Sequence, residues 1–242
     1  MTTDWLERTA LLTGTYGLEK LKNTHVMIAG LGGVGSWAAE FICRAGVGQI
    51  TIIDHDTIKP SNRNRQLCAL ESTTDKLKAN VMADRLKDIN PEIKLNKEVF
   101  FLKDEKTNQL INKLKPDYII DAIDTLSPKV FLIYYAMTQN IPIISALGAG
   151  GKFQPSLIKV DDISKSHTCR LAFNIRKRLR KLGIHDGLKV VYSTEPVDSK
   201  YIVAVDNESN KKTTVGTISF IPAMFGGYCA SEVVNDLLAE KK

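Results

Sequence analysis

The chain has 242 residues, 43% of them hydrophobic and 25% charged, with a formal net charge of +6. That balance fits a folded globular protein with a substantial core and excludes an intrinsically disordered chain. No apolar run approaches the roughly 18 residues of a membrane span. The opening Met-Thr-Thr-Asp-Trp-Leu-Glu-Arg lacks the basic-then-apolar order of a secretory signal, so a cytoplasmic protein without membrane contact is expected.

Apolar periodicity divides the chain into alternating elements. Strands are predicted at 25–29, 49–54, 95–101, 118–123 and 141–147, and helices at 36–45, 76–89, 105–114 and 127–139. The runs from Tyr118 to Ile123 and from Ile141 to Leu147 are almost continuously apolar, which suits strands covered on both faces of a parallel sheet. Asn90-Pro91 closes one helix, and Ser127-Pro128 caps and starts another. After Gly148-Ala-Gly-Gly151 the rhythm changes. A strand at 157–160, a basic helix at 170–182 and a strand at 188–193 precede a polar loop at 194–213; a strand at 216–221 and a helix at 222–238 finish the chain.

Four stretches should meet at the carboxyl ends of such strands, where parallel sheets hold ligands. The first, Gly30-Leu-Gly-Gly-Val-Gly-Ser36, follows a strand and opens a helix, so bare backbone N–H groups face a phosphate there. The second is Asp54-His55-Asp56, whose first carboxylate is placed to accept hydrogen bonds from a ribose. The others are Asp121-Ala-Ile-Asp124 and the 148–151 turn. Between the second and third, Asn62-Arg-Asn-Arg65-Gln66 and the helix containing Lys78 supply a triphosphate clamp, because arginine grips two phosphate oxygens and lysine adds a compact charge. Asp124 beside those phosphates implies a divalent cation, Mg2+, between like charges, whereas Asp121 reads as a strand-end turn.

A nicotinamide dehydrogenase would share the glycines and Asp54, but it needs no such clamp. His25, His55, His167 and His185 offer no frame for a proton donor either. The fold class is therefore α/β: a doubly wound, mainly parallel Rossmann-like sheet with a C-terminal extension of extra strands and a basic helix. Residues 1–242 read as one domain, with a nucleotide-binding core at 1–150 and a substrate-binding part with a closing helix at 151–242.

Charge and thiols are unevenly spread. Eight Lys or Arg residues stand between Lys165 and Lys189 against the single acid Asp186, which suits either a polyanionic partner or a solvated face. Cys43 and Cys229 fall in apolar helical patterns, while Cys68 and Cys169 lie near polar segments, where a core and a reactive role are both open. No CxxC pair is present, so a four-cysteine zinc site is not expected.

GLGGVGS, IIDHD, NRNRQ, Lys78 and DAIDT together resemble the ubiquitin-activating-enzyme superfamily of adenylating proteins. ERTALLTGTYGLEKLKNTHV, GVGSWAAE, the GAGG turn before a strand and basic helix, VVYSTEP and GTISFIPAMFGGYCASEVV make nearly the whole chain similar to one branch, the tRNA threonylcarbamoyladenosine dehydratases. The resemblance implies that Gly30, Gly32, Gly33 and Gly35 cradle phosphates of ATP and that Asp54, with Asp56 nearby, serves the ribose end. It places Asn62, Arg65 and Lys78 on the triphosphate and Asp124 on Mg2+. It also implies a homodimer in which Arg8 reaches the neighbouring subunit's triphosphate, so Arg8, Arg65, Lys78 and Asp124 are the candidate catalytic set. Arg170, Arg176, Lys177, Arg178, Arg180 and Lys181 become candidates for contact with the tRNA backbone.

The implied activity is ATP-dependent dehydration of threonylcarbamoyladenosine in tRNA to its cyclic form. The alternative is adenylation of the C-terminal glycine of a ubiquitin-like sulfur carrier, with Cys169 as acceptor; a regulator without catalysis would not keep both Arg65 and Lys78. A sulfur-relay protein is a further partner the resemblance admits. The missing CxxC motifs disfavour the carrier-activating branch. In GAGGKFQPS, Gln154 stands where the dehydratase branch often has an acid before the proline, a departure at the loop that bears on a monovalent cation, Na+ or K+.

Overall fold

The computed structural model describes residues 4–204 and 213–239. Its main sheet comprises β1 (His25–Ala29), β2 (Gln49–Ile53), β3 (Lys94–Glu98), β4 (Tyr118–Asp121), β5 (Ile143–Ala146), β6 (Ile158–Asp162) and β7 (Lys189–Ser193). They lie in the order β3-β2-β1-β4-β5-β7-β6, parallel throughout except that β6 runs antiparallel to β7. The helices are α1 (Glu7–Lys22), α2 (Gly35–Arg44), α3 (Lys78–Ile89), α4 (Asp104–Leu114), α5 (Leu126–Thr138), α6 (Arg170–Lys181) and α7 (Phe220–Leu238). None of the described helices is long and apolar enough to cross a membrane.

Alternation along β1 explains the three layers. Val26 and Ile28 join the core under α2, α3 and α7, while Met27 and Ala29 join a second core under α4, α5 and α6. β1, β2, β4 and β5 are thus covered on both faces, as their largely apolar sequences require. Strand order reverses between β1 and β4, so a crevice opens at their carboxyl ends.

Several elements depart from the sequence reading. The expected strand at 216–221 does not form. Residues 216–219 are irregular and α7 begins at Phe220, with Pro222 in its first turn, where a missing N–H costs no intrahelical bond. Part of the expected loop at 194–213 instead forms β8 (Ile202–Ala204), which pairs antiparallel with β9 (Thr213–Val215); residues 205–212 of that loop lie outside the described residues. β3 ends at Glu98 rather than 101, because it is an edge strand paired only with β2. α5 starts at Leu126 behind an N-cap at Thr125, so Pro128 sits inside the first turn and the Ser127-Pro128 pair is not the cap. α1, which the sequence did not reveal, is interrupted at Gly14 by a φ of 70°.

α2 and α3 are joined by Glu40, whose side chain is 5% exposed and accepts from Arg44 Nε at 2.7 Å and Arg85 Nε at 2.7 Å. Burial works against charging Glu40, yet the hydrogen bonds from Arg85 and Arg44 prevail and hold its carboxyl below the usual range. Its contribution is therefore present above the ordinary glutamate pKa and is lost as pH falls through the lowered value. Glu40→Gln is expected to cost about 1–3 kcal/mol near neutral pH, with the deficit closing in acid, as urea denaturation at the two pH values would measure.

Candidate functional site

The crevice between β1 and β4 is lined first by the glycine loop. Gly30 has a φ of 88° and donates its N–H to the Ile53 carbonyl at 2.8 Å; a Cβ there would stand 2.7 Å from the Ala122 oxygen. A Cβ at Gly35 would collide with the Gly30 carbonyl. These two positions therefore demand glycine, which lets the loop close onto the strand ends of β1 and β4. Asp54, 8% exposed, fastens the same loop: its carboxylate accepts from Leu31 N–H at 2.6 Å and from Asp56 N–H at 2.8 Å. Each of its oxygens keeps further acceptor capacity for a hydroxyl.

The clamp surrounds this loop. A Cβ at Gly33 would lie 3.3 Å from Arg65 Cγ, so Arg65 borders the glycines directly. Its guanidinium donates to the Ser61 carbonyl at 3.0 Å and to Asn64 Oδ1 at 2.8 Å. Burial lowers the Arg65 pKa, and the nearby Asp124 carboxylate opposes that shift. Asn62 braces the segment, its Oδ1 accepting from Lys59 N–H at 3.0 Å. Lys78 opens α3 with its side chain only 7% exposed and its Nζ 2.8 Å from Asp56 Oδ2, while His55 Nε2 lies 3.3 Å from Asp56 Oδ1. Ligand atoms of Asp54, His55 and Asp56 come within 4.8 Å of one another. Asp54 accepts from backbone N–H groups and Asp56 pairs with the Lys78 ammonium. Asp124 is exposed just beyond β4.

One expected member stands apart. Arg8 is exposed on α1, which packs against α7 rather than on the strand ends.

Beneath Asp124 lies a feature the sequence reading missed. Asp121, taken there as a strand-end turn, is fully buried and paired with the fully buried Lys129 at 2.8 Å. Asp121 also accepts from Ser145 Oγ at 2.7 Å and from Ile123 N–H at 3.1 Å, and the Lys129 ammonium donates to the Ile123 carbonyl at 3.1 Å. The turn that leads into Asp124 is thereby tied from both sides. Burial pushes the Asp121 carboxyl up, and the ammonium, the hydroxyl and the N–H oppose that push. The available signal was a single lysine within the otherwise apolar α5. Gln66, in the clamp motif, is 7% exposed, and its Oε1 has no partner among the described residues.

The C-terminal part meets the same end of the sheet. A Cβ at Gly148 would lie 3.4 Å from Cys169 Sγ, and Cys169 caps α6, its sulfur accepting from Ala172 N–H at 3.5 Å. Cys68 is 2% exposed and burial pushes its thiol up, which removes it from the reactive readings. In the 148–154 turn, Lys152 is buried and donates to the Glu195 carbonyl, while the Glu195 carboxylate accepts from Phe153 and Gln154 N–H groups. Along α6, Arg170, Lys177, Arg178, Arg180 and Lys181 are exposed. Arg176 is not a comparable surface cation: it is partly buried and its Nη1 donates to the Ser166 carbonyl at 2.7 Å.

Comparison with known proteins gives a consistent assignment. Residues 6–242 match the ThiF family. The tRNA threonylcarbamoyladenosine dehydratase of Bacillus subtilis is 39% identical over 96% of this chain and 94% of its own length. That of Haemophilus influenzae is 36% identical over 93% of this chain and 89% of its own length. The crystal structure of the Escherichia coli tRNA N6-threonylcarbamoyladenosine dehydratase, TcdA, in complex with ATP superposes with a TM-score of 0.87 at 33% identity, covering 98% of this chain and 96% of that one. The chain belongs to the ThiF family and, within it, to the tRNA threonylcarbamoyladenosine dehydratases.

Proposed function

We propose that this protein uses ATP to dehydrate threonylcarbamoyladenosine in tRNA to its cyclic form. The observation that carries this reading is Arg65 bordering the glycine loop, with the Asp124 charge nearby at the β1/β4 crevice, in a chain alike to the dehydratases over nearly its full length. The carboxylate of the threonylcarbamoyl group attacks the α-phosphorus of ATP. A P–O bond forms, the bond to pyrophosphate breaks, and an acyl adenylate results. A nitrogen of the same side chain then attacks the activated carbonyl and gives up its proton to solvent, the C–O bond to AMP breaks, and a ring closes. Both reacting groups belong to one substituent, so proximity supplies much of the second step and no protein nucleophile is needed.

The residues divide the work by chemistry. Backbone N–H groups of the glycine loop and the α2 N-terminus face the phosphates. Arg65 and Lys78 take charge that builds on the leaving pyrophosphate, and Asp56 holds the Lys78 ammonium in place. Asp54 accepts from the ribose. An all-oxygen donor beside phosphates suits magnesium, which Asp124 would hold and which neutralises phosphate charge when bound. At the 148–154 turn the buried Lys152 donates to the Glu195 carbonyl, in the loop where the resemblance admits a monovalent cation, Na+ or K+.

A second copy of the chain completes the assembly. Leu11, Leu12 and Tyr16 on α1 are 83%, 89% and 79% exposed, and Phe41 on α2 and Phe220, Met224 and Tyr228 on α7 are also exposed. α1 and α2 both pack on α7, so these exposed apolar side chains belong to one helical layer, which a homodimer would cover. Arg8 on the same arm then reaches across to the other subunit's phosphates. Residues 1–150 act as the nucleotide-binding part and 151–242 as the tRNA-facing part, in the cytoplasm where the tRNA substrate resides.

The test is direct. The protein, ATP, magnesium and tRNA from cells lacking this activity should yield a modified nucleoside lighter by the mass of one water, with AMP and pyrophosphate released in step. An unchanged nucleoside, with pyrophosphate released only on addition of a small carrier protein, overturns the proposal in favour of carrier adenylation.

A further inference from the structure

We propose that Phe173 is a stacking platform for a tRNA base, with the cations along its own stripe of α6 receiving the adjoining phosphates. The inference rests on the tRNA-dehydratase reading and specifies how α6 meets that partner. Phe173 is 58% exposed although α6 has an apolar stripe, Ala172, Ile175 and Leu179, fully committed to the core. On a helix, residues three, four and seven apart share a face, which sets Phe173 among Arg170, Lys177 and Arg180. All three are exposed, and α6 contains no acidic residue.

An exposed aromatic ring by itself is ordinary. Two features give this one a particular occupant. First, it is separated from the apolar face of α1, α2 and α7. α6 packs against α5, and its core contacts lie on the opposite side of the sheet. A second copy covering that apolar face would therefore leave Phe173 open. Second, the ring is bracketed by cations within its own helix, the combination that binds single-stranded nucleic acid: bases stack on the ring and phosphates meet the charges. The place is also right. Cys169, at the start of α6, borders Gly148 at the carboxyl end of β5, so Arg170 and Phe173 are the members of that stripe on the helix end that faces the strand ends.

The two kinds of contact separate experimentally. Binding of tRNA carrying the open threonylcarbamoyl group is measured by fluorescence anisotropy across a range of salt, for wild type, Phe173→Ala, Phe173→Trp and Lys177→Ala. Phe173→Ala should weaken binding about tenfold or more while leaving the slope of log affinity against log salt unchanged. Lys177→Ala should reduce that slope by about 0.7–0.9. Phe173→Trp should keep wild-type affinity, and its added fluorescence should be quenched by tRNA beyond any change in the wild type. Wild-type affinity in Phe173→Ala, or no added quenching in Phe173→Trp, overturns the stacking role and leaves the dehydratase reading standing. Failure of the wild type to bind tRNA at all overturns both.

Discussion

Lys129→Met should destabilise this protein by about 3–5 kcal/mol, the usual effect of removing one partner from a buried ion pair. Lys129 and Asp121 have no exposed side-chain surface and stand 2.8 Å apart. Without the ammonium, the Asp121 carboxylate keeps the Ser145 hydroxyl and the Ile123 N–H but no opposite charge. For a chain of this size the loss corresponds to a fall of roughly 6–20 °C in Tm, readable by circular dichroism. The pH dependence follows from the sign of the Asp121 shift. Burial raises its folded pKa, and in the variant no ammonium opposes the rise. A raised acid pKa imposes no penalty below the unfolded value, and stability drains as pH climbs from that value toward the folded one. The deficit should therefore be small in acid and grow as pH rises toward neutrality. Asp121→Asn combined with Lys129→Met removes the stranded charge and should recover most of the loss. A single variant melting within about 2 °C of wild type would show that the pair carries little of the fold's stability.

That pair also marks where a sequence stops being readable. The crevice residues were legible because a parallel sheet must gather whatever follows its strands. Gly30 and Asp54 come directly after β1 and β2, and Asp124 stands three residues beyond the end of β4. The strands themselves were legible because burial on both faces writes a continuous apolar run. Asp121 and Lys129 are eight positions apart across a turn, and only the fold shows that both point inward. α1 escaped for a different reason: Leu11, Leu12 and Tyr16 are exposed within the single chain, and Gly14 interrupts the helix, so no clean period toward a core exists. The run Thr217-Ile-Ser-Phe220 alternates as a strand would, but Pro222 placed within the first turn of α7 commits it to a helix start. Arg176 was readable in retrospect. It sits four positions after Ala172 and three before Leu179, both buried, so it borders the inward stripe.

Asp124→Asn should lower kcat/KM for dehydration by about 100- to 1000-fold, in the range lost when a group stabilising transition-state charge is removed. The substitution keeps the side chain's shape and removes its charge at an exposed position, so melting temperature should stay near that of the wild type. Two explanations of the activity loss separate by titration. Asp124 would hold magnesium, but it also opposes the lowering of the Arg65 pKa by burial. If the carboxylate acts through the metal, the magnesium concentration for half-maximal pyrophosphate release should rise, excess magnesium should restore part of the rate, and AMP binding in chelator should be unchanged. If it acts only by orienting Arg65, magnesium should not rescue the rate, and Asp124→Asn should add nothing to an Arg65→Ala background. Turnover within about threefold of wild type would remove Asp124 from the chemistry altogether, since such a change is under 1 kcal/mol of transition-state stabilisation. The Asp121–Lys129 pair makes this comparison meaningful, because it ties the preceding turn through Ile123 whatever residue 124 becomes.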